Sequence, residues 1–273
     1  MNNSKVLNLD TIYNMDCIEG MKSLPDKSID MILCDLPYGT TQCKWDVIIP
    51  FADLWEQYKR IIKDNGAIVL TSAQPFTSLL ISSNIELFKY NWIWEKSKAT
   101  GYLNSKKRPM VAHEDVLVFA KKQTKYSPQM VQGQPYYKGK AHRPTDVYGE
   151  QKEILVENKD GLRYPRTVQY FKTAESEGRV YHPTQKPISL FEYLIKTYTD
   201  EGDVVLDNCM GSGTTAIACK NTNRHYIGYE KDEKYFNIIN ERISELSKIK
   251  TNKPWLIDFI ILFNIIIRMN NKE

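Results

Sequence analysis

Residues 204–215 read VVLDNCMGSGTT, and the fold follows from them. An apolar run, Val204 to Leu206, ends on Asp207. The turn Gly211-Ser212-Gly213-Thr214-Thr215 follows, and residues 216–220 (AIACK) resume at helical spacing. Strand, glycine turn and helix in that order form a ligand-binding crevice. Glycine lets the backbone approach a ligand closely, and the helix start offers free N–H groups to its anionic parts. The next apolar run, residues 226–230 (YIGYE), ends on Glu230. An acidic residue about 20 positions after the turn accepts hydrogen bonds from ribose hydroxyls. The pattern is not a full G-x-G-x-x-G, because Thr215 and Ala216 hold the later positions. It is not a phosphate-binding P-loop either, since no Gly-Lys-Ser/Thr follows. It predicts a nucleoside cofactor other than a nicotinamide dinucleotide.

The same alternation extends in both directions. Residues 28–34 (SIDMILC) read as a buried strand ending at Asp35. Residues 51–62 carry apolar side chains at helical spacing and stop at Asn65-Gly66. Residues 67–71, 90–94 and 116–119 read as strands, and a helix begins at 78–81. Residues 188–198 read as a helix after Pro187, and 233–249 as another. Strands alternating with helices predict an α/β fold: a doubly wound, mostly parallel, Rossmann-like sheet. Residues 121–181 break the pattern. Pro, Gly, Gln, Lys and Tyr accumulate there, which predicts a loop-rich insertion.

Composition narrows the function classes. The chain has 273 residues, 42% hydrophobic and 26% charged, with a net charge of +4, which fits a polyanionic partner. Five cysteines without a C-x-x-C pair and four scattered histidines predict reduced thiols, no disulfide framework and no zinc site. The first residues, MNNSKVLNLD, lack the apolar core of a signal peptide. Residues 255–267 are apolar but contain Asp258 and Asn264, and fall short of the ~20 apolar residues that span a bilayer. The expected location is the cytoplasm.

The strand ending at Asp35 continues Leu36-Pro37-Tyr38-Gly39. This turn suits methyl transfer to the exocyclic amine of a nucleobase, whose lone pair is delocalised into the ring. Two acceptors that take both N–H bonds draw the nitrogen toward tetrahedral geometry. Asp35 supplies a carboxylate, and the carbonyl of Leu36 or Pro37 supplies the second acceptor. Proline stiffens the turn, Tyr38 offers a ring for the base to stack on, and Gly39 lets the chain leave. The base must stand outside the duplex for this chemistry, and positioning and electrostatics carry most of the rate. Across the crevice, the carboxylates suit the positive sulfur of S-adenosylmethionine.

These motifs resemble the amino-group DNA methyltransferases that use S-adenosylmethionine. The order is that of the permuted (beta) class, with the catalytic motif before the cofactor motif. The family's Asp/Asn/Ser-Pro-Pro-Tyr stands here as Asp35-Leu36-Pro37-Tyr38, with Leu36 a departure. Residues 13–17 (YNMDC), with Asp16 and Cys17, resemble the segment that contacts the cofactor adenine. Trp94-Glu95-Lys96 and Ala112-His113-Glu114-Asp115 resemble stretches near the target pocket. His182-Pro183-Thr184-Gln185-Lys186-Pro187 matches a cofactor-side motif, which implies cofactor contacts from Thr184 and Lys186. Residues 206–215 resemble Leu-Asp-Pro-Phe-x-Gly-Ser-Gly-Thr-Thr, with Asn208 and Cys209 in place of Pro-Phe. The resemblance implies cofactor contacts from Asp207, Gly211, Gly213, Thr214 and Glu230. His182 and His113 read as structural, and Trp45 as a pocket wall. The leading Asp is commoner among adenine N6 enzymes, Ser among cytosine N4 enzymes.

The resemblance divides the chain into a catalytic half (1–120), a target-recognition insertion (121–181), a cofactor-binding half (182–250) and an apolar extension (251–273). It implies double-stranded DNA as partner, and leaves open a homodimer, and either a cognate restriction endonuclease or a solitary enzyme. Basic residues from Lys96 to Arg143, interleaved with Tyr102, Tyr126, Tyr136 and Tyr137, suit phosphates and unstacked bases. Other readings stay open on the residues alone: a cytosine N4 enzyme, a DNA-binding module with decayed catalysis, and a nucleotide-dependent oxidoreductase.

Overall fold

A computed structural model describes residues 8–141, 149 and 154–252. Arg143 and the apolar run 255–267 lie outside the described residues.

The chain runs through β1 (Thr11–Tyr13), α1 (Cys17–Lys22), β2 (Ile29–Asp35), α2 (Phe51–Ile61), β3 (Ile62–Ser72), α3 (Phe76–Ser83), β4 (Phe88–Thr100) and β5 (Val111–Phe119). Four short strands follow: β6 (Val131–Gln132), β7 (Tyr136–Ala141), β8 (Ile154–Asn158) and β9 (Leu162–Arg163). The chain then enters β10 (Val168–Phe171), α4 (Ile188–Tyr198), β11 (Val204–Asp207), α5 (Thr214–Asn221), β12 (His225–Tyr229) and α6 (Glu233–Asn252).

Eight strands form one sheet in the order β1-β12-β11-β2-β3-β5-β4-β10. Only β5 runs antiparallel to its neighbours. The sheet is buried on both faces, so β2 is a continuous apolar run rather than an alternating one. Its side chains still divide by face. Ile29, Ile32 and Cys34 pack into a core with Leu54, Trp55 and Tyr58 of α2 and with Phe76 and Leu80 of α3. Met31 and Leu33 pack into the opposite core with Leu190, Phe191 and Leu194 of α4 and with Ala216 and Ala218 of α5. This is the doubly wound fold that the alternation predicts.

The 121–181 segment holds more strand than its composition suggests. β6 pairs with β9 and β7 with β8 in two small ribbons, while β10 joins the main sheet as an edge strand parallel to β4. Glu177, from the end of this segment, caps α4 by accepting from the amides of Ile188 and Ser189 at 2.5 and 3.0 Å. These contacts anchor the end of the segment on the parent domain.

Candidate active site

The sheet reverses its winding between β11 and β2. From β11 the chain moves through α5 to β12 on one side. From β2 it moves through α2 to β3 on the other. The strands lie side by side in parallel, Val205 opposite Met31 and Leu206 opposite Ile32. Their carboxyl ends therefore open into one crevice, the usual ligand position in such sheets. A cavity of about 1010 Å³ occupies it. Asp35, Leu36, Pro37 and Tyr38 line it from the β2 side, and Asp207, Gly211 and Thr214 from the β11 side. Asp16, Cys17, Thr184, Lys186, Glu230 and Trp45 complete the wall.

The catalytic turn is held tightly. Asp35 Oδ1 accepts from the Thr71 hydroxyl at 2.5 Å and from the Tyr38 hydroxyl at 2.9 Å. Its Oδ2 accepts from Lys186 Nζ at 2.7 Å. Leu36 is buried in the core on the α2 face, so it contributes packing and backbone. The Tyr38 ring stacks on Phe76, centroids 5.0 Å apart, with Lys186 Nζ 5.6 Å from its centroid. Burial and the neighbouring Asp35 push the phenol's pKa well up, so it stays protonated and donates to Asp35. Asp46 organises the exit. Its carboxylate accepts from the amides of Gly39, Thr40 and Thr41 at 2.8, 2.9 and 2.7 Å. Burial would raise its pKa, but those donors and the Thr41 hydroxyl outweigh it and hold it low.

Lys186 sits in a chain of buried charges. Its ammonium lies 2.7 Å from Asp35 and 3.4 Å from Glu114, and Glu114 in turn meets Lys96 at 3.2 Å. Burial opposes the charge on Lys186, yet the two carboxylates win and raise its pKa. The sequence placed Lys186 on the cofactor side. Its carbonyl accepts from Thr214 on that side, and its ammonium reaches Asp35. Gln185 beside it accepts from Ser212 Oγ at 3.0 Å.

On the opposite wall, Gly213 takes φ +85 and Gly211 φ +56, the left-handed region that favours glycine. Gly213 does not line the cavity. A Cβ there would stand 2.7 Å from Ile239 Cγ2, so the residue packs the turn against α6. Asp207 is buried, accepting from the Cys209 amide at 3.0 Å and the Thr215 hydroxyl at 2.5 Å. Burial pushes its pKa up to about 6. Glu230 accepts from the Gly211 and Asp232 amides, both at 2.8 Å, and burial raises its pKa too. Asp16 caps α1 through the amides of Ile18 and Glu19. The thiols of Cys17 and Cys209 interact, which lowers the pKa of Cys17 and raises that of Cys209.

His182 lies between the rings of Trp45 (4.8 Å) and Tyr235 (4.4 Å), and burial lowers its pKa. Its Nδ1 bonds to the Thr184 amide and hydroxyl at 3.3 and 3.0 Å. His113 is exposed on β5 and does not line the cavity. Sequence reasoning missed Thr71 and Asp46. Thr71 is marked only by its place at the end of a strand neighbouring β2, and Asp46 by no motif. Among the described residues no cluster of His, Cys, Asp and Glu could hold a metal.

A doubly wound sheet with a glycine turn and an acidic residue on one side of its switch point, and Asp-Leu-Pro-Tyr on the other, defines a nucleoside-cofactor transferase. The chain belongs to the N6/N4 DNA methylase family, whose sequence pattern matches residues 29–241. It is 28% identical to the Type II methyltransferase M.HpaI of Haemophilus parainfluenzae, over 84% of this chain and 72% of that protein. It is 30% identical to M.HinfI of Haemophilus influenzae, over 87% and 69%. The crystal structure of the M1.HpyAVI–SAM complex superposes with a TM-score of 0.58 at 26% identity, covering 85% of this chain and 98% of that one. The cytosine-N4-specific PvuII DNA methyltransferase, at 17% identity and a TM-score of 0.61, shares the fold. The chain is a DNA methyltransferase, and S-adenosylmethionine is its cofactor.

The residues present fit that cofactor. Gly211 keeps the turn clear: beyond its chain neighbours, a Cβ there would meet the Cys209 carbonyl at 3.9 Å and nothing nearer among the described residues. Glu230 stands beside that turn with both oxygens on its rim, where a ribose can donate to their remaining lone pairs. Among the described residues no helix is long and apolar enough to cross a membrane.

Proposed function

We propose that the chain methylates the exocyclic N6 of an adenine flipped out of double-stranded DNA. The observation that carries this reading is Asp35. It closes β2 at the switch point, level with Thr71 and next to Tyr38, and its carboxylate faces the cavity that the glycine turn bounds from the other side.

Glu230 is the acceptor for the cofactor ribose, and the 209–211 backbone, with Asp207 behind it, shapes the wall for the methionine part. Asp16 and Cys17 border the adenine, while Thr184 and Lys186 close the catalytic side. The cofactor supplies an electrophilic methyl group. Asp35 accepts one N–H of the target amine, and the carbonyl of Leu36 or Pro37 accepts the other, which turns the nitrogen lone pair into the cavity. The exposed part of Tyr38 borders the base while Phe76 backs its ring. The nitrogen that gains the methyl loses a proton to water at the cavity mouth. Positioning of this kind is worth several kcal/mol in a site closed to bulk water.

Residues 121–181 are the segment for sequence reading, between a catalytic half (1–120) and a cofactor half (182–250). The enzyme acts in the cytoplasm and is paired with a restriction endonuclease, a reading supported by its similarity to proteins named Type II methyltransferases. The test is nucleoside analysis of unmethylated DNA after incubation with the purified chain and labelled S-adenosylmethionine. Label in N6-methyladenine is expected. Label in N4-methylcytosine would overturn the choice of base, and no label in DNA would overturn the whole reading.

A further inference from the structure

The β4–β5 hairpin rises far above the catalytic crevice. Asp35 pairs with Thr71, Thr71 with Val116 and Val116 with Trp92, so Asp35 lies level with Trp92. β4 runs parallel to β2 and continues to Thr100, still paired there with Val111. The register is irregular between Glu95 and Thr100, so the rise is set by the five residue steps of β5 from Val116 to Val111, which at ~3.3 Å each put the paired end roughly 17 Å beyond Asp35. The wall of the extension faces the site, since Lys96, Lys98, Ala99 and Thr100 line the cavity.

The tip is ordered and apolar. Gly101, at φ +89, starts a short 3₁₀ turn, Tyr102–Asn104. Backbone hydrogen bonds from Asn104 to Gly101, Ser105 to Tyr102, and Lys107 and Arg108 to Asn104 fix its shape. On this turn Leu103 is 96% exposed and Tyr102 76% exposed. At that exposure the Leu103 side chain contributes nothing to either core. Lys98, Lys106, Lys107 and Arg108 flank it in the sequence, all exposed, and residues 96–113 contain no Asp or Glu, although Lys98 lies 3.8 Å from Glu175. An apolar point in a cationic collar matches a nucleic acid duplex. The collar meets phosphates, and the point enters the base stack, where apolar wedges hold open a step between bases.

We propose that Leu103 is the wedge that enters the duplex and fills the gap left by the flipped target base, with Tyr102 flanking it. This rests on the methyltransferase reading above and adds a residue outside the crevice to it. The wedge offsets the cost of unpairing and unstacking, so its removal hurts only where the target is paired.

The test follows mapping of the methylated site by sequencing. Single-turnover methylation is measured on two duplex oligonucleotides, one with the target base paired and one with it mismatched. Leu103→Ala is expected to slow methylation of the paired duplex ~10- to 100-fold, and of the mismatched duplex by less than ~3-fold. Leu103→Phe, which keeps a wedge, is expected to retain most of the rate. The thermal midpoint is expected to stay unchanged, since Leu103 touches no core. Equal loss on both duplexes, or paired-duplex rates within twofold of the unsubstituted chain, would overturn the wedge. The unsubstituted chain on the same duplexes reports separately on the methyltransferase reading.

Discussion

Replacing Lys186 with methionine removes one cation from a buried chain of four charges and keeps the length of the side chain. The Lys186 side chain is 7% exposed, with Asp35 at 2.7 Å and Glu114 at 3.4 Å. Without it, Glu114 keeps Lys96 as its partner, and Asp35 is left with only the Tyr38 and Thr71 hydroxyls. Stranding one side of a buried pair costs ~3–5 kcal/mol. The Asp35 side chain is 23% exposed, so water recovers part of this, and about 2–4 kcal/mol is the expected loss. At ~2–4 °C per kcal/mol for a domain of this size, the thermal midpoint falls by roughly 5–15 °C. The sign with pH is fixed by the raised pKa of Lys186. Its contribution is complete below the unfolded value near 10.5 and is lost as pH climbs through the folded value. The deficit is therefore constant from about pH 6 to 9 and closes in strong alkali. Thermal unfolding followed by circular dichroism at pH 7, 9 and 11 measures it. Adding Asp35→Asn to Lys186→Met neutralises the stranded carboxylate and is expected to restore at least ~1 kcal/mol. A midpoint for Lys186→Met within 2 °C of the unsubstituted chain, or a further loss on adding Asp35→Asn, would refute the account (thresholds of order ~1 kcal/mol).

Asp35→Asn is expected to cut single-turnover methylation at least ~100-fold while DNA retention on a filter stays within twofold, because the role proposed for the carboxylate is to accept from the reacting amine. Gly213→Ala meets both a positive φ and the wall of Ile239, and is expected to cost ~2–4 kcal/mol in urea unfolding. Gly211→Ala has the positive φ but open space, so ~1 kcal/mol of stability goes and the main effect falls on S-adenosylmethionine affinity by calorimetry. Asp207 titrates at about 6 when folded, above its unfolded value, so its contribution to stability is full below pH ~4 and falls as pH rises through 6. The loss is about 3 kcal/mol over that window, and Asp207→Asn is expected to remove this slope from stability measured between pH 4 and 7.

The central sheet was legible in the sequence because each buried strand is a local event. Residues 28–34 and 204–207 are apolar runs ended by a carboxylate and a turn, and no distant contact is needed to recognise them. The edges were not legible. β1 and β10 have 3 and 4 residues, with partly exposed side chains, and exist only because β12 and β4 offer parallel partners. The site divides the same way. Asp35, Glu230 and the glycine turn stand at strand ends where spacing exposes them. The Asp35–Lys186 contact joins positions 151 residues apart and leaves no periodic trace. Asp46 is likewise set by the return path of the loop to Gly39, which composition does not specify.

The order of motifs along the chain matters little to this site, because the sheet rather than the sequence sets the distances. β11 comes after β2 in the chain but lies beside it in parallel, so Asp207 and Asp35 end neighbouring strands whichever is made first. What the chain order does affect is how the two halves are tied. Residues 182–187 lead into α4, far in sequence from both walls of the crevice, and touch both. Gln185 holds Ser212, the carbonyl of Lys186 holds Thr214, and the ammonium of Lys186 holds Asp35. One residue thus bonds the glycine turn through its backbone and the catalytic carboxylate through its side chain. A displacement of the turn by a bound nucleoside must therefore be absorbed either within the Lys186 side chain or at Asp35. Glu114, 3.4 Å from the same ammonium, gives the side chain a second carboxylate to lean on, which lets Asp35 release a hydrogen bond without leaving a buried cation alone.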